Sequence, residues 1–157
     1  MEITVLIEEG LDGCPEEGWL KRLTEEILTA QGSYSQAELS LYMVGQEKIR
    51  ELNRQYRGID APTDVLSFAM LEPVGEKASS FVTPPDGLRH LGEVIISYPQ
   101  AVIQAAEHRH SSQKEIAILI IHGVLHLLGY DHDEPEVERR MRARETETLH
   151  HIEGELP

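Results

Sequence analysis

Cysteine is all but missing, with Cys14 the single one in 157 residues. That excludes an internal disulfide, makes a cysteine-rich structural metal site unworkable, and suits a reducing compartment. Basic residues are also scarce: 14 Lys and Arg stand against 28 Asp and Glu, for a formal net charge of -14. A protein that neutralises phosphates usually carries a basic footprint. On this chain an acidic surface repels nucleic acid at long range, unless a local basic cleft or a bound cation reverses the sign. Long apolar runs are lacking too; even Ile116–Leu128 is too short to span a bilayer. The opening MEITVLIEEG has neither a basic n-region nor a small-residue cleavage site, so no secretory signal is expected and the cytoplasm is the expected location. No internal repeat is visible. The length fits one domain over residues 1–157, able to bury a core without disulfides.

What is present reads first as alternating strands and helices. Ile3–Glu8 predicts a buried strand through Ile3, Val5 and Ile7. Pro15 opens a helix lined by Trp19, Leu20, Leu23, Ile27 and Leu28, with Gly32 beyond its end. Ala37–Val44 is a second strand, and Glu47–Tyr56 a helix using Ile49, Leu52 and Tyr56. Strand, helix, strand implies a parallel crossover. Val65–Met70 and Leu91–Tyr98 follow as strands, antiparallel because no helix joins them. The connection from Leu71 to His90 holds Pro73, Gly75, Pro84, Pro85 and Gly87, and irregular loops of that length are usually functional or disordered. Pro99 starts a helix to about His108. Ser112 and Glu115 are spaced as a capping box for the next helix, and Asp133 as the cap of a last one using Val137, Met141, Thr148, Leu149 and Ile152. The expected fold is α+β, a four-stranded mixed sheet with about five helices around a buried central helix.

That central helix ends in HGVLHLLGYDH, His122–His132. His122 and His126 lie four apart and share one helix face. Gly129 supplies the left-handed stop, after which Tyr130 and Asp131 can return His132 to the same point. Three imidazoles hold zinc with a fourth position left for water, the pattern of a catalytic site. The plainer alternatives are core histidines satisfied by backbone carbonyls, or a closed structural zinc completed by Asp131 or Asp133. Basic residues gather in Lys48–Arg57 and again in Arg139–Arg144, the second group interleaved with acids as on a solvated, ion-paired helix face.

The spacing HxxxHxxGxxH is shared with metzincin peptidases, whose motif is HExxHxxGxxH. Gly123 stands where those enzymes carry their general base, which argues against a standard peptidase. With that glycine, HGVLHLLGYDH resembles the signature of the bacterial YbeY family of rRNA maturation factors. NRQYRGIDAPTDVLSF (Asn53–Phe68) and LGEVIIS (Leu91–Ser97) are similar to two further blocks of the same family, in the same order. Ala69 departs from the proline many members carry after SF, and the Leu71–His90 connection is longer.

The resemblance implies a zinc-dependent endoribonuclease acting on single-stranded RNA, in maturation of the 16S rRNA 3′ end and in ribosome quality control. It implies one Zn²⁺ per chain on His122, His126 and His132, with Arg57 as the functionally important arginine. A guanidinium suits that role, since it binds phosphate bidentately and stabilises charge on the reacting group. The expected partners are single-stranded rRNA and the small ribosomal subunit with its proteins, with an assembly GTPase added in the assembly-factor reading below, and no membrane is expected. Two other functions stay open. An assembly factor with a mainly structural zinc fits the charge of -14, because an acidic surface suits basic ribosomal proteins. A metal-dependent hydrolase of a non-RNA substrate is the third.

Overall fold

A computed structural model of the chain describes residues 1–32, 34–70, 88–130 and 134–156. Most of the expected loop from Leu71 to His90, and the stretch Asp131, His132 and Asp133, lie outside the described residues. The elements run β1 (Glu2–Ile7), α1 (Glu17–Ala30), β2 (Ala37–Val44), α2 (Gln46–Arg57), β3 (Val65–Ala69), β4 (Arg89–Ser97), α3 (Tyr98–His108), α4 (Ser112–Leu127) and α5 (Pro135–Ile152), closed by a 3₁₀ turn at Glu153–Glu155.

The four strands form one sheet in the order β1-β2-β4-β3. β1 pairs parallel with β2, and β2 parallel with β4, while β3 runs antiparallel to β4. The mixed α+β sheet expected from the sequence is therefore the one observed. Between β2 and β4 the register slips, from Glu38↔His90 to Leu39↔Gly92, so Leu91 is an extra residue in β4.

Side chains alternate across the strands and build a core on each face. On the larger side, Leu39, Leu41, Met43, Val94 and Ile96 pack with residues of α1, α4 and α5. On the smaller side, Val44, Leu66 and Ile95 meet Ile49 of α2. β1 is buried through Ile3 and Val5, but Ile7 at the strand's end is 37% exposed, contrary to the expected continuous face. α2 departs in the same way. Tyr56 is 62% exposed, and its ring meets Phe68 edge-on at a centroid distance of 5.3 Å. The helix instead buries Asn53, whose Nδ2 donates to the Ala61 carbonyl at 2.9 Å. α1 begins at Glu17 with Glu16 as N-cap, so Pro15 precedes the helix instead of opening it.

α4 is the centre of the fold. Ten of its sixteen residues are buried, and it packs on α1, α3, α5, β3 and β4. α5 packs on α4 and α1 and buries Met141, Thr148 and Ile152, with Glu134 as N-cap; the expected cap Asp133 is outside the described residues. On the outer face of α5, Arg139 pairs with Glu136 and Arg142 with Glu138, as expected for a solvated face. Arg144 turns inward, donating through Nε to Gln31 at 2.7 Å and through its NH2 group to the Ala30 carbonyl. No described helix is long and apolar enough to cross a membrane.

Candidate metal centre

α4 is terminated at both ends by hydrogen bonds that set where its histidines stand. At its start the N-cap is Ser111, whose hydroxyl accepts from the Lys114 amide at 3.1 Å. The expected box of Ser112 and Glu115 is thus one residue out of frame, and Glu115 has other partners. At the far end the Tyr130 amide donates to the Leu125 carbonyl at 3.0 Å, and the Gly129 amide to that of His126 at 3.1 Å. Those two bonds make a Schellman motif, which needs a left-handed residue, and Gly129 has φ 104°. The helix stops where the sequence said it must, immediately after the second histidine's turn.

His122 and His126 are half-buried on this otherwise apolar helix, with ring centroids 4.6 Å apart. Their i, i+4 spacing has brought them together as expected. His122 Nδ1 lies 2.8 Å from Glu145 Oε2, a carboxylate supplied by α5. A proton held on Nδ1 by that contact would make Nε2 the donor atom toward a metal, the arrangement that orients metal-bound histidines. Two imidazoles on one helix face, one of them set by a carboxylate, are a donor set that fits zinc. His132 lies outside the described residues.

Glu145 went unremarked in the sequence. Its signal was there, because Met141, Glu145, Thr148 and Ile152 fall at the 4-3-4 spacing of one helix stripe. The other three are buried, so a charge in that stripe needs a partner.

Gly123 has a steric reason. A Cβ built there would lie 2.6 Å from Val94 Cγ1 and 3.2 Å from Ser67 Oγ. Ser67 Oγ also donates to the Gly123 carbonyl at 3.3 Å. This position presses α4 onto β3 and β4, and leaves no room for the glutamate that a peptidase would place there.

Arg57 is the last residue of α2 and is exposed, with no hydrogen bond or ion pair to the described residues. Its surroundings are held by neighbours. Arg50 donates to Asp60 from Nε at 2.8 Å and from its NH2 group at 3.3 Å. That hydrogen bond holds the Asp60 carboxyl below the ordinary range. α2 and α4 lie on opposite faces of the sheet and meet at its edge strand, where Phe68 touches Tyr56 and Ser67 touches Gly123.

A second group of metal-capable side chains stands at the start of α4. Among the described residues, His108, His110 and Glu115 bring three ligand atoms within 4.8 Å of one another. Burial alone would raise the Glu115 carboxyl, but hydrogen bonds from His108, His110 and Gln104 outweigh it and leave it below its usual value. The hydrogen bond to Glu115 correspondingly raises the His108 imidazole. Nothing in the sequence reading singled out these residues as ligands.

Comparison with known proteins bears on the whole chain. The family model described as Endoribonuclease YbeY matches residues 13–153. A curated Endoribonuclease YbeY of Dehalococcoides mccartyi strain 195 is 48% identical over 155 residues, 97% of this chain and 90% of that one. That of Moorella thermoacetica is 48% identical over 130 residues, 83% of this chain and 82% of its own. The solution structure of TM1509 from Thermotoga maritima superposes with a TM-score of 0.56 at 26% identity, covering 98% of this chain and 93% of the other.

Proposed function

Since the chain belongs to the Endoribonuclease YbeY family, we propose that it is a zinc-dependent endoribonuclease specific for single-stranded RNA. One Zn²⁺ per chain is held by His122, His126 and His132. The protein works in the cytoplasm as a single domain, in 16S rRNA 3′-end maturation and ribosome quality control. Its partners are the small ribosomal subunit, ribosomal proteins and an assembly GTPase.

The observation that carries the metal assignment is the His122–Glu145 contact of 2.8 Å beside the His122–His126 pair. A hydrogen-bonded carboxylate on Nδ1 of a helix histidine, with a second imidazole four residues on, is what a ligand pair requires. Lewis acidity at a phosphoryl oxygen is the chemistry that zinc contributes at such a site.

The chain's own residues supply the rest. Glu145 fixes the ring of His122. Gly123 lets α4 sit close enough to the sheet for the pair to keep its place. Arg57, exposed and without an ion pair among the described residues, is available to phosphate, and the exposed ring of Tyr56 beside it offers a face on which a base can stack. Four of the 14 basic residues, Lys48, Arg50, Arg54 and Arg57, belong to α2, which gives an acidic protein a local basic element.

The test is cleavage of an unstructured RNA by chelator-stripped and zinc-reloaded protein, beside His126→Ala. Zinc-dependent cutting that disappears in the variant is expected, and its absence in the reloaded wild type overturns the proposal. The charge of -14 favours the assembly-factor reading instead, in which the reloaded protein binds basic ribosomal proteins and leaves RNA intact.

A further inference from the structure

We propose that His108, His110 and Glu115 form a second site for a divalent transition-metal ion, zinc by donor type, at the corner between α3 and α4. It lies at the opposite end of α4 from the His122–His126 pair and shares no residue with it.

The corner is built rigidly. His108 ends α3, Arg109 takes a left-handed conformation at φ 58°, and His110 leads into the Ser111 cap of α4. The Arg109 and His110 amides donate to the carbonyls of Ala106 and Ala105, at 3.2 and 3.1 Å. A sharp backbone reversal between two histidines turns both rings toward one point. That point is Glu115 Oε1, 3.0 Å from His108 Nδ1 and 2.6 Å from His110 Nε2. The other carboxylate oxygen is occupied: Gln104 Nε2 donates to Oε2 at 3.0 Å. Gln104 thus orients the carboxylate in the way that outer hydrogen bonds orient metal ligands.

Burial separates this cluster from ordinary surface pairs. The Glu115 side chain is 2% exposed and that of His110 20%, whereas that of His108 is 55% exposed. A carboxylate sunk this deep needs positive charge beside it. The His108 imidazole, raised by its hydrogen bond to Glu115, meets that need by holding a proton, and a divalent cation placed between the three ligand atoms takes that proton's place. Two nitrogens and one oxygen suit zinc and its neighbours in the transition series, not magnesium or calcium, which take oxygen ligands. Zinc–ligand bonds of ~2.0–2.1 Å imply ligand separations of roughly 3.3 Å in a tetrahedron. The His108 contact of 3.0 Å needs to open by about 0.3 Å and the His110 contact of 2.6 Å by about 0.7 Å, adjustments within the reach of ring rotation. Solvent reaches the site on the His108 side and can complete the coordination. Bound there, the ion ties the end of α3 to the start of α4.

Four tag-free, full-length proteins test this: wild type, His126→Ala, His108→Ala with His110→Ala, and all three changes together. Each is stripped with chelator, titrated with Zn²⁺ by calorimetry, and checked for folding by circular dichroism. Two zinc sites are expected in the wild type, one in each of the first two variants, and none in the third. Co²⁺ added to His126→Ala should give a d–d absorption band that disappears when His108 and His110 are also replaced. The proposal is overturned if replacing His108 and His110 leaves the zinc stoichiometry of His126→Ala unchanged, or if folded His126→Ala binds no zinc. Failure of the His122–His126–His132 assignment reads differently, as His126→Ala titrating like the wild type.

Discussion

The two ends of α4 each join histidines to a carboxylate, and they are organised in opposite ways. At the start of the helix the carboxylate is the hub: Glu115 is buried, and His108 and His110 approach it from outside. At the end of the helix the imidazoles belong to α4, and Glu145 comes to His122 from α5, with 27% of its side chain exposed. A buried carboxylate demands a counter-charge. A half-exposed carboxylate set on one ring nitrogen does something else, which is to choose the tautomer and aim the other nitrogen. In the metal sites proposed above, the same residue types would therefore serve charge neutralisation at one end and ligand orientation at the other. Burial, more than composition, tells the two apart.

The comparison breaks most sharply at His126. His126→Ala should abolish zinc-dependent RNA cleavage, a loss of at least about 10²-fold, the scale of removing one electrostatic stabiliser from an active site. It should leave the far end of the helix untouched, which zinc titration of the same protein reports. Undiminished cleavage by the variant would remove the catalytic role from this end of α4.

Arg57 tests whether substrate is met by the sheet edge and not by the helix alone. Arg57→Ala should cost about 1.5–3 kcal/mol in binding or transition-state terms, as for a charge-assisted hydrogen bond. That is roughly one to two powers of ten in rate. Arg57→Lys should stay impaired, because an ammonium loses the two-pronged geometry. Both should keep the wild-type melting temperature and zinc content, since the guanidinium holds nothing among the described residues. A variant that loses activity only by unfolding would refute the assignment.

Gly123, next to His122, probes how α4 is seated on the sheet. Gly123→Ala forces a Cβ to within 2.6 Å of Val94 Cγ1 and should destabilise by about 1–3 kcal/mol, the usual cost of overpacking. Val94→Ala should recover part of that loss in the double variant; thermal melts of the four proteins give the coupling. Additive losses would show that the contact is not the cause. The natural sequence should also cleave no peptide, and robust zinc-dependent peptidase activity would show that this position is not what excludes one.

The smallest effect is expected at Glu145. Glu145→Gln keeps a hydrogen-bond acceptor and loses the charge, and should weaken zinc binding at the His122 end about tenfold, the low end for an orienting partner. Zinc binding at the Glu115 end should not change. Equal weakening at both ends would mean that α5 acts through the fold and not through His122.

Much of this was legible in the chain alone, because it depends on local chemistry. The strand-helix order follows from periodicity. The stop at Gly129 follows from the one residue type that takes a left-handed turn without cost, and the pairing of His122 with His126 from a helical repeat of 3.6 residues. The exposed ends at Ile7 and Tyr56 could not be read that way, since periodicity gives the face of an element and not how far its partner extends. Ser111 displaced Ser112 as the cap of α4 because the preceding left-handed turn at Arg109 decided where the helix could begin. Glu145 meets His122 across 23 residues, and Val94 limits Gly123 across a sheet–helix interface. Those contacts exist only once α5 and β4 have packed on α4. Sequence determined which side chains α4 would carry; tertiary packing decided which of them would face a carboxylate, and from how deep in the core.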